Sequence, residues 1–314
     1  MTKQKILITG GAGFIGSNLA RNLLKQENVE ITVIDNLFSG NEKNLDGLNV
    51  NFVKGDVTDV ELLNKYIEKD LIVFHLAARN IVASSENPRL DMESNIKGTY
   101  NILEIARDKK VKKLIYTSTS SVYGNPTVIP AKEESELDFL SFYSLSKYTG
   151  EKYAELFNKI YDLPVSIVRY SNVYGFNQHP NNPYSGVIGK FIGNAIKNEP
   201  LIIIGDGEQT RDFTFIEDAC RATILVSEMP QTDGKVFNIG TGVETSVNEL
   251  ADKILLSTNS SSKKVQGEKR AIDCINRRAV SIEKIKSELG FNIAYSLDEG
   301  IEKTIEWFSQ NTIN

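Results

Sequence analysis

The first half of the chain alternates short apolar runs with amphipathic stretches. Residues 5–9 read Lys-Ile-Leu-Ile-Thr, which is typical of a strand buried on both faces of a sheet. Further runs of this kind occur at 30–34, 51–57, 71–78, 113–117 and 165–170. Helical periodicity lies between several of them, at 17–26 and 91–110. Buried strands that alternate with helices predict an α/β fold, a Rossmann-type doubly wound parallel sheet.

After residue 170 the alternation becomes irregular, which predicts a smaller C-terminal substrate-binding lobe. We therefore expect a dinucleotide-binding Rossmann domain at 1–170 and a substrate lobe at 171–314. A strand-like run at 235–240 indicates that a segment near 213–242 returns to the sheet of the first domain. The pattern then predicts a loop at 257–264 and two helices, at 282–289 and 297–308.

The composition narrows the class of protein. The chain has 314 residues and a net charge of -5 without a long basic run, which argues against a nucleic-acid partner. Its two cysteines, Cys220 and Cys274, predict no disulfide framework, and with only two histidines no metal site is expected. No apolar run approaches the roughly 20 residues that would span a membrane. We expect a cytoplasmic protein without a membrane partner.

A glycine-rich turn follows the first predicted strand. Gly10, Gly13 and Gly16 are spaced Gly-x-x-Gly-x-x-Gly, and a helical pattern begins at Ser17. In this order of strand, turn and helix, the glycines let the backbone approach a pyrophosphate at the helix N-terminus. The turn therefore predicts a dinucleotide site, although a tight turn without a ligand has the same local pattern.

An aspartate ends the second predicted strand. A carboxylate at Asp35 would accept hydrogen bonds from the adenosine ribose hydroxyls and would repel a 2′-phosphate, which favours NAD over NADP. Asp35 could instead cap the following turn. The ends of the third and fourth strands, at Asp56-Val57 and at Leu76-Ala77-Ala78, would lie near the same cofactor, whereas His75 is expected to pack in the core.

Candidate chemistry is concentrated at Tyr143 and Lys147. On a helix these residues lie four apart on one face, and a neighbouring ammonium lowers the phenol pKa from about 10. Such a pair could take a proton from a sugar hydroxyl, but the same spacing is also common on solvated helix faces. Hydroxyl residues at 118–121 follow a central strand, where ligands bind in open α/β sheets. Arg211, in a glycine-flanked loop, suits a phosphate or lies on the surface.

In combination these features resemble the extended short-chain dehydrogenase/reductases of the NAD-dependent epimerase/dehydratase family. The resemblance covers nearly the whole chain and is greatest to UDP-glucose and other UDP-hexose 4-epimerases. It rests on Thr9-Gly-Gly-Ala-Gly-Phe-Ile-Gly16, Asp35-Asn36-Leu37, Gly55-Asp56-Val57, Asn95-x-x-Gly98-Thr99, Ser118 through Gly124, Tyr143-x-x-x-Lys147, Arg169-x-x-Asn172-Val-Tyr-Gly175 and Gly205-Asp-Gly-x-Gln-Thr-Arg211-Asp-Phe213.

The resemblance implies a cofactor site for NAD. The residues expected to bind NAD are Gly10, Gly13, Phe14, Ile15, Gly16, Asp35, Asn36, Asp56, Val57, Leu76, Ala77, Ala78, Asn95, Tyr143 and Lys147. It also implies that Tyr143 is the base and acid, that Lys147 holds the nicotinamide ribose and lowers the tyrosine pKa, and that Thr119 hydrogen-bonds the reacting hydroxyl.

The resemblance further implies a UDP-sugar substrate. Expected substrate contacts are Thr119, Ser120, Ser121, Asn172, Arg211 and Arg270. The implied reaction inverts C4 through a 4-keto sugar, with UDP-glucose and UDP-galactose as the first candidates. A homodimer is also implied, built on helices that begin near Asp91 and Tyr143.

Two departures from the family pattern bear on the reaction. Dehydratases carry Asp and Glu where this chain has Ser120 and Ser121, and glucuronate decarboxylases tend to carry Glu at the second position, which favours epimerisation. In addition, the family's Arg-Pro-Gly-Asp-like segment appears as Arg270-Ala271-Ile272-Asp273, and one extra residue before Lys284 leaves the register open, so that Arg277 or Arg278 falls where epimerases border the hexose. An arginine there could face solvent, replace Arg270 at the diphosphate or recognise a carboxylate on the sugar. UDP-N-acetylglucosamine and UDP-glucuronate therefore stay open as substrates, and so, less favoured, do a decarboxylase, a reductase or a non-catalytic NAD sensor.

Overall fold

The computed structural model describes residues 3–179, 182, 186–268 and 274–311. Its strands are β1 (Gln4–Thr9), β2 (Val29–Asp35), β3 (Val50–Lys54), β4 (Ile72–His75), β5 (Lys113–Thr119), β6 (Val165–Tyr170), β7 (Asn172–Tyr174), β8 (Leu201–Ile204), β9 (Thr210–Arg211), β10 (Phe213–Phe215), β11 (Val236–Ile239), β12 (Thr245–Ser246), β13 (Lys264–Gly267) and β14 (Arg277–Arg278).

The α-helices are α1 (Phe14–Leu23), α2 (Val60–Tyr66), α3 (Ile81–Glu86), α4 (Pro88–Asp91), α5 (Thr99–Lys109), α6 (Phe142–Tyr161), α7 (Val187–Ile196), α8 (Ile216–Glu228), α9 (Val247–Thr258), α10 (Glu283–Leu289) and α11 (Leu297–Asn311). Short 3₁₀ turns lie at Glu42–Leu45, Ser120–Tyr123 and Pro230–Thr232, and a π-helical turn at Met92–Gly98.

Seven parallel strands form the central sheet in the order β11-β6-β5-β4-β1-β2-β3. The order runs outward in both directions from β1 and β4, which is the doubly wound arrangement expected from the sequence. In such sheets ligands bind beyond the carboxyl ends of the strands, at the point where the strand order reverses. The fold therefore places a binding crevice next to β1 and β4.

Helices cover both faces of this sheet. Alternate side chains of β1 enter opposite cores: Ile6 and Ile8 share a core with Leu19 of α1, whereas Leu7 shares a core with Ile102 of α5 and Phe157 of α6. This alternation explains why β1 and its neighbours are almost continuously apolar, because both faces of each strand are buried.

The region predicted as one helix at 91–110 is divided. A π-helical turn joins α4 to α5. Such a turn holds about one residue more than an α-helical turn, and a pattern with a period of 3.6 residues does not reveal it. The predicted loop at 257–264 lies between α9 and β13. Among the described residues no helix is both long and apolar enough to cross a bilayer.

The second half of the chain builds small sheets around the crevice. β7 pairs with β10, β8 with β13, and β9 with both β12 and β14. β11 lies within the segment expected to return, and it pairs with β6 at the edge of the central sheet. The division into two domains stays a prediction, since the two halves share this sheet.

His75, at the end of β4, has no exposed surface. Its two ring nitrogens lie 2.7 Å from the Thr9 hydroxyl oxygen and 3.0 Å from that of Thr99. Burial lowers the pKa of the imidazole to about 3, and the positive charge of Lys147 acts in the same direction. The ring is therefore neutral in the folded protein at pH values where an unfolded chain has already protonated it.

We expect His75 to make the protein acid-sensitive. Its pKa in the folded protein lies below the unfolded value of 6.5. The contribution of His75 to the free energy of unfolding is therefore complete above pH 6.5, and it is lost as the pH falls towards 3, by about 1.4 kcal/mol per pH unit. A His75→Gln variant has no group at this position that titrates. Its free energy of unfolding, measured by urea denaturation, should therefore fall less steeply than that of the unmodified protein between about pH 6 and pH 4. Equal slopes for the two proteins would contradict this assignment.

Candidate functional site

A cavity of about 640 Å³ lies beyond the carboxyl ends of the central strands. Nearly all residues expected to bind the cofactor line it, namely Gly10, Gly13, Phe14, Ile15, Gly16, Asp35, Asn36, Asp56, Val57, Leu76, Ala77, Ala78, Tyr143 and Lys147. These residues come from the ends of β1 to β4 and from α1 and α6. The cavity thus lies at the crevice that the strand order predicts.

The glycine turn leaves space only for main chain. Gly10 has φ +71°, and a Cβ on it would lie 2.7 Å from the Ala77 nitrogen. A Cβ on Gly16 would lie 2.3 Å from the Gly10 carbonyl oxygen. The following helix, α1, begins at Phe14 with Gly13 as its N-cap, and it has neither a side-chain cap nor an acidic residue in its first turn. Its first N–H groups are therefore available for an anion.

Asp35 closes one end of the cavity. Its carboxylate accepts hydrogen bonds from the main-chain N–H groups of Ala12, at 3.0 Å, and Leu37, at 2.8 Å. Burial raises the pKa of the carboxyl, and these main-chain donors oppose the change. Next to it, the Asn36 amide donates to Asp56 at 2.5 Å. The oxygen atoms at this end of the cavity suit the hydroxyls of an adenosine ribose.

The Tyr143 and Lys147 pair lies at the start of α6. Ser141 caps this helix, and Ser144 completes a reciprocal capping box, so the helix begins at Phe142 and fixes Tyr143 in its first turn. A helix N-terminus favours negative charge, which suits a phenolate at this position.

Lys147 is buried, with 2% of its surface exposed, and its ammonium has no hydrogen-bond partner among the described residues. The Nζ atom lies 4.3 Å from the centroid of the Tyr116 ring. Burial lowers the pKa of Lys147 to about 7, while the negative charges of Glu151 and Asp91 oppose this change. A buried, unpartnered ammonium that lines the cavity requires polar groups from a ligand.

The electrostatic surroundings of Tyr143 differ from the sequence expectation. Burial raises the pKa of the phenol, a hydrogen bond with Thr119 lowers it, Asp91 raises it and Arg278 lowers it. Among the described residues, Arg278 is the cation that lowers this pKa, and the expected effect of Lys147 stays a prediction. The charge of Arg278 and the hydrogen bond with Thr119 thus both favour the phenolate form of Tyr143.

A buried ion pair holds α6 against the sheet. The Glu151 carboxylate has no exposed surface and accepts hydrogen bonds from the Arg169 guanidinium of β6 at 2.6 and 3.0 Å. The Ser118 hydroxyl of β5 also donates to Glu151. Arg169 in turn donates to the Tyr123 hydroxyl at 2.8 Å. This network joins the helix that carries Tyr143 to two central strands.

Asn95 is not brought to the cavity. It is fully buried in the π-helical turn, where its carboxamide oxygen accepts from the Arg79 N–H at 2.7 Å and its nitrogen donates to Asp91 and Ser146. These contacts hold the loop after β4 against α6. Its neighbour Ser94 lines the cavity instead.

A second cavity, of about 950 Å³, meets the first at Gly186. Two of the expected substrate residues, Asn172 and Arg211, line it. The Arg211 guanidinium donates to the carbonyl oxygens of Thr210, at 2.7 Å, and Ile275, at 3.0 Å, which fixes its position. Thr119, Ser120 and Ser121 are buried at the end of β5. Arg270 lies outside the described residues.

Several cavity residues were not foreseen from the sequence. Arg79 follows the small residues of the β4 loop, and its guanidinium carbon lies 3.6 Å from the centroid of the Phe38 ring. Its Nε donates to the Ser94 hydroxyl at 3.2 Å, while its buried Nη1 has no hydrogen-bond partner in the described part of the chain. Gln178 also lines the cavity, and its carboxamide oxygen accepts no hydrogen bond from any residue that the structure describes. For Arg79, the sequence did contain a signal, because an arginine directly follows the small residues Ala77-Ala78 that were expected to lie near the cofactor.

The first cavity fits NAD on the properties of its own residues. The uncapped first turn of α1 suits a pyrophosphate, Asp35 suits the adenosine ribose, and Lys147 suits the hydroxyls of the second ribose. The Arg79 Nη1 atom is a further donor for a phosphate oxygen.

Comparison with known proteins gives a consistent result. The model of the NAD dependent epimerase/dehydratase family matches residues 6–240. The UDP-N-acetyl-alpha-D-glucosaminuronate decarboxylase of Bacillus cytotoxicus is 36% identical over 98% of this chain and 98% of its own length. The UDP-glucose 4-epimerase of Mycolicibacterium smegmatis is 34% identical over 97% and 98%. The crystal structure of a UDP-glucose 4-epimerase with UDP-glucose from Thermotoga maritima has a TM-score of 0.93, at 35% identity over 98% and 100% of the two chains.

Proposed function

Because the chain belongs to the NAD-dependent epimerase/dehydratase family, we propose that it inverts C4 of a UDP-sugar. The protein is an NAD-dependent enzyme of the isomerase class. The sequence favours UDP-glucose and UDP-galactose as the interconverted pair, and UDP-N-acetylglucosamine and UDP-glucuronate are the alternatives. The substrate assignment rests on the chemistry of the two adjoining cavities.

One observation carries the proposal: Tyr143 lines the cofactor cavity and is hydrogen-bonded to Thr119. Ser120 and Ser121 follow Thr119 in the chain, at the positions where a dehydratase has carboxylates. Among the described residues near the phenol, the carboxylates already have partners. Glu151 is paired with Arg169, and Asp91 accepts hydrogen bonds from Ser84, Asn95 and Ser146. Tyr143 is therefore the group best placed to move a proton to and from a sugar hydroxyl.

The residues divide the reaction between them. NAD, which the glycine turn, Asp35 and Lys147 would hold, would supply a reversible acceptor for the hydride on C4. The Tyr143 phenolate takes the proton from the C4 hydroxyl, which leaves a 4-keto sugar, and returns that proton when the hydroxyl forms again. Thr119 orients the reacting oxygen, and Lys147 donates to the ribose hydroxyls.

The second cavity supplies the anchor that an inversion requires. Asn172 and Arg211 would hold the uridine diphosphate there, so that the keto sugar can rotate without leaving the protein. The reaction causes no net oxidation, because one hydride and one proton are removed from the sugar and both are restored to it. The cofactor is unchanged after each cycle.

We also propose the homodimer that the sequence suggests. α5 and α6 expose large apolar side chains to solvent, including Tyr100, Tyr153, Leu156 and Ile160. An apolar surface on two adjacent long helices suits a four-helix bundle between two copies of the chain. A cytoplasmic location stays a prediction from the sequence, which has few cysteines and no apolar run long enough to span a membrane.

A direct assay tests the proposed reaction. Purified protein with NAD is incubated separately with UDP-glucose, UDP-N-acetylglucosamine and UDP-glucuronate, and the products are resolved by chromatography. We expect the 4-epimer of at least one substrate and no net NADH. Net formation of NADH, or loss of carbon dioxide without any 4-epimer, would contradict epimerisation.

A further inference from the structure

A side-chain contact joins two loops at the rim of the cofactor cavity. The guanidinium carbon of Arg79, in the loop after β4, lies 3.6 Å from the centroid of the Phe38 ring, in the loop after β2. Both residues line the cavity. In the central sheet β1 lies between β4 and β2. A contact between the loops that follow β4 and β2 therefore passes over the end of β1, where the glycine turn lies.

The loop after β2 holds Phe38 at this rim. Leu37 has φ +61°, a left-handed conformation that is unfavourable for leucine. Its N–H donates to the Asp35 carboxylate at 2.8 Å, and the N–H of Phe38 donates to the Asn36 side-chain oxygen at 2.9 Å. These hydrogen bonds stabilise a turn that leaves the Phe38 ring 42% exposed, at the cavity and outside the core.

The loop after β4 fixes Arg79 in a similar way. Its main-chain N–H donates to the Asn95 carboxamide oxygen at 2.7 Å, and its carbonyl oxygen accepts from the Asn95 nitrogen at 3.1 Å. Its Nε donates to the Ser94 hydroxyl at 3.2 Å, whereas its Nη1 is buried and has no hydrogen-bond partner among the residues described. A buried donor of this kind requires an acceptor. Above the glycine turn, the acceptor that suits a guanidinium is a pyrophosphate oxygen.

We propose that Arg79 and Phe38 form a clasp over the pyrophosphate of NAD, and that this clasp determines how slowly the cofactor leaves. Arg79 donates to the phosphate through Nη1, and Phe38 holds the guanidinium plane by cation–π stacking. The dinucleotide is exchanged only when this contact opens. A reaction that leaves its cofactor unchanged needs no exchange between cycles, so slow release does not limit turnover. The inference concerns the NAD site and goes beyond the proposed inversion at C4.

The test measures how fast bound cofactor leaves. Protein loaded with radiolabelled NAD is mixed with excess unlabelled NAD, and the label that stays bound is followed over time. We expect Arg79→Gln to release NAD at least about tenfold faster, because a charge-assisted hydrogen bond is lost. Phe38→Leu should release it about fivefold faster, since leucine has no aromatic face, whereas Phe38→Tyr keeps that face and should stay within about twofold.

Arg89→Gln is the matched control. Arg89 lies on α4, outside the residues that line the cofactor cavity, and its side chain is 84% exposed beside Glu93. Its replacement removes the same charge from the same region, and release should change by less than about twofold. The double variant Arg79→Gln with Phe38→Leu should release NAD within about twofold of Arg79→Gln alone, because Phe38 acts through the arginine.

Three results would overturn the clasp. Release from Arg79→Gln no faster than from Arg89→Gln means that the arginine does not hold the phosphate. Equal release from Phe38→Leu and Phe38→Tyr means that the aromatic face is not used. Additive effects in the double variant mean that the two residues act separately. The thermal midpoint of each loaded protein identifies a variant that has lost its fold, and the two variants of the exposed Phe38 test the clasp even if Arg79→Gln does not fold.

The release experiment contains no sugar, so it is independent of the proposed reaction. If release responds as expected but no 4-epimer forms in the direct assay, the clasp stands and the inversion at C4 fails. A 4-epimer together with unchanged release in Arg79→Gln and Phe38→Leu gives the reverse result.

Discussion

Replacement of Tyr143 by phenylalanine should reduce kcat roughly 1,000-fold while the protein stays folded and keeps its NAD. The change removes a single oxygen atom, the one that takes and returns the C4 hydroxyl proton. Thr119 cannot replace it, because an aliphatic hydroxyl is a far weaker acid than a phenol. The loss should appear in kcat and in kcat/KM alike, since the proton moves in the transition state.

Tyr148→Phe is the matched control for this experiment. Tyr148 lies on the same helix, α6, and its ring packs 4.9 Å from that of Phe139, outside the cofactor cavity. Its kcat should stay within about threefold of the unmodified value, since no reacting atom is lost. The assignment of Tyr143 as the base would fail if Tyr143→Phe turned over as fast as Tyr148→Phe. Bound NAD and the thermal midpoint, measured for each protein, identify any variant that has lost its cofactor or its fold.

A second large effect is expected on stability from Arg169→Met. The change leaves the Glu151 carboxylate fully buried and without its cation, which should lower the free energy of unfolding by about 3–5 kcal/mol. Urea denaturation measures this loss. The double variant Arg169→Met with Glu151→Met should recover a large part of it, because the stranded charge is then absent.

An exposed pair on the same helix provides the comparison. Lys152 and Glu155 lie 2.7 Å apart in a solvent-accessible ion pair, and Lys152→Met should cost less than about 1 kcal/mol. If Arg169→Met proves no more damaging than Lys152→Met, the buried pair does not stabilise the attachment of α6. A double variant no more stable than Arg169→Met would instead show that lost packing, and not the unpaired charge, causes the destabilisation.

The first half of the fold and the cofactor cavity could be predicted from the sequence because their signals are local. Most of the central strands contain an apolar run, and the glycine turn and Asp35 directly follow two of these runs. In the second half β9, β12 and β14 have two residues each, too few to show an alternating pattern. The small sheet that carries Arg211 and Arg278 was therefore not foreseen.

Individual side chains were harder to assign than elements. Asn95 follows a motif typical of the family, but its amide is used entirely within the protein. The choice between Arg277 and Arg278 was open in the sequence, because it depends on which face of a short strand turns inward. β14 pairs with β9, which leaves Arg278 buried and Arg277 exposed at the second cavity, and that pairing joins segments that are far apart in the chain.

The position of β11 has a consequence for synthesis on the ribosome. β6 is complete at Tyr170, but the strand that pairs with its free edge spans Val236–Ile239. A nascent chain that has released only the residues up to β6 presents an unpaired, apolar edge strand, the kind of surface on which chains aggregate. We expect translation pauses between these two strands to lower the yield of folded protein more than pauses after residue 240.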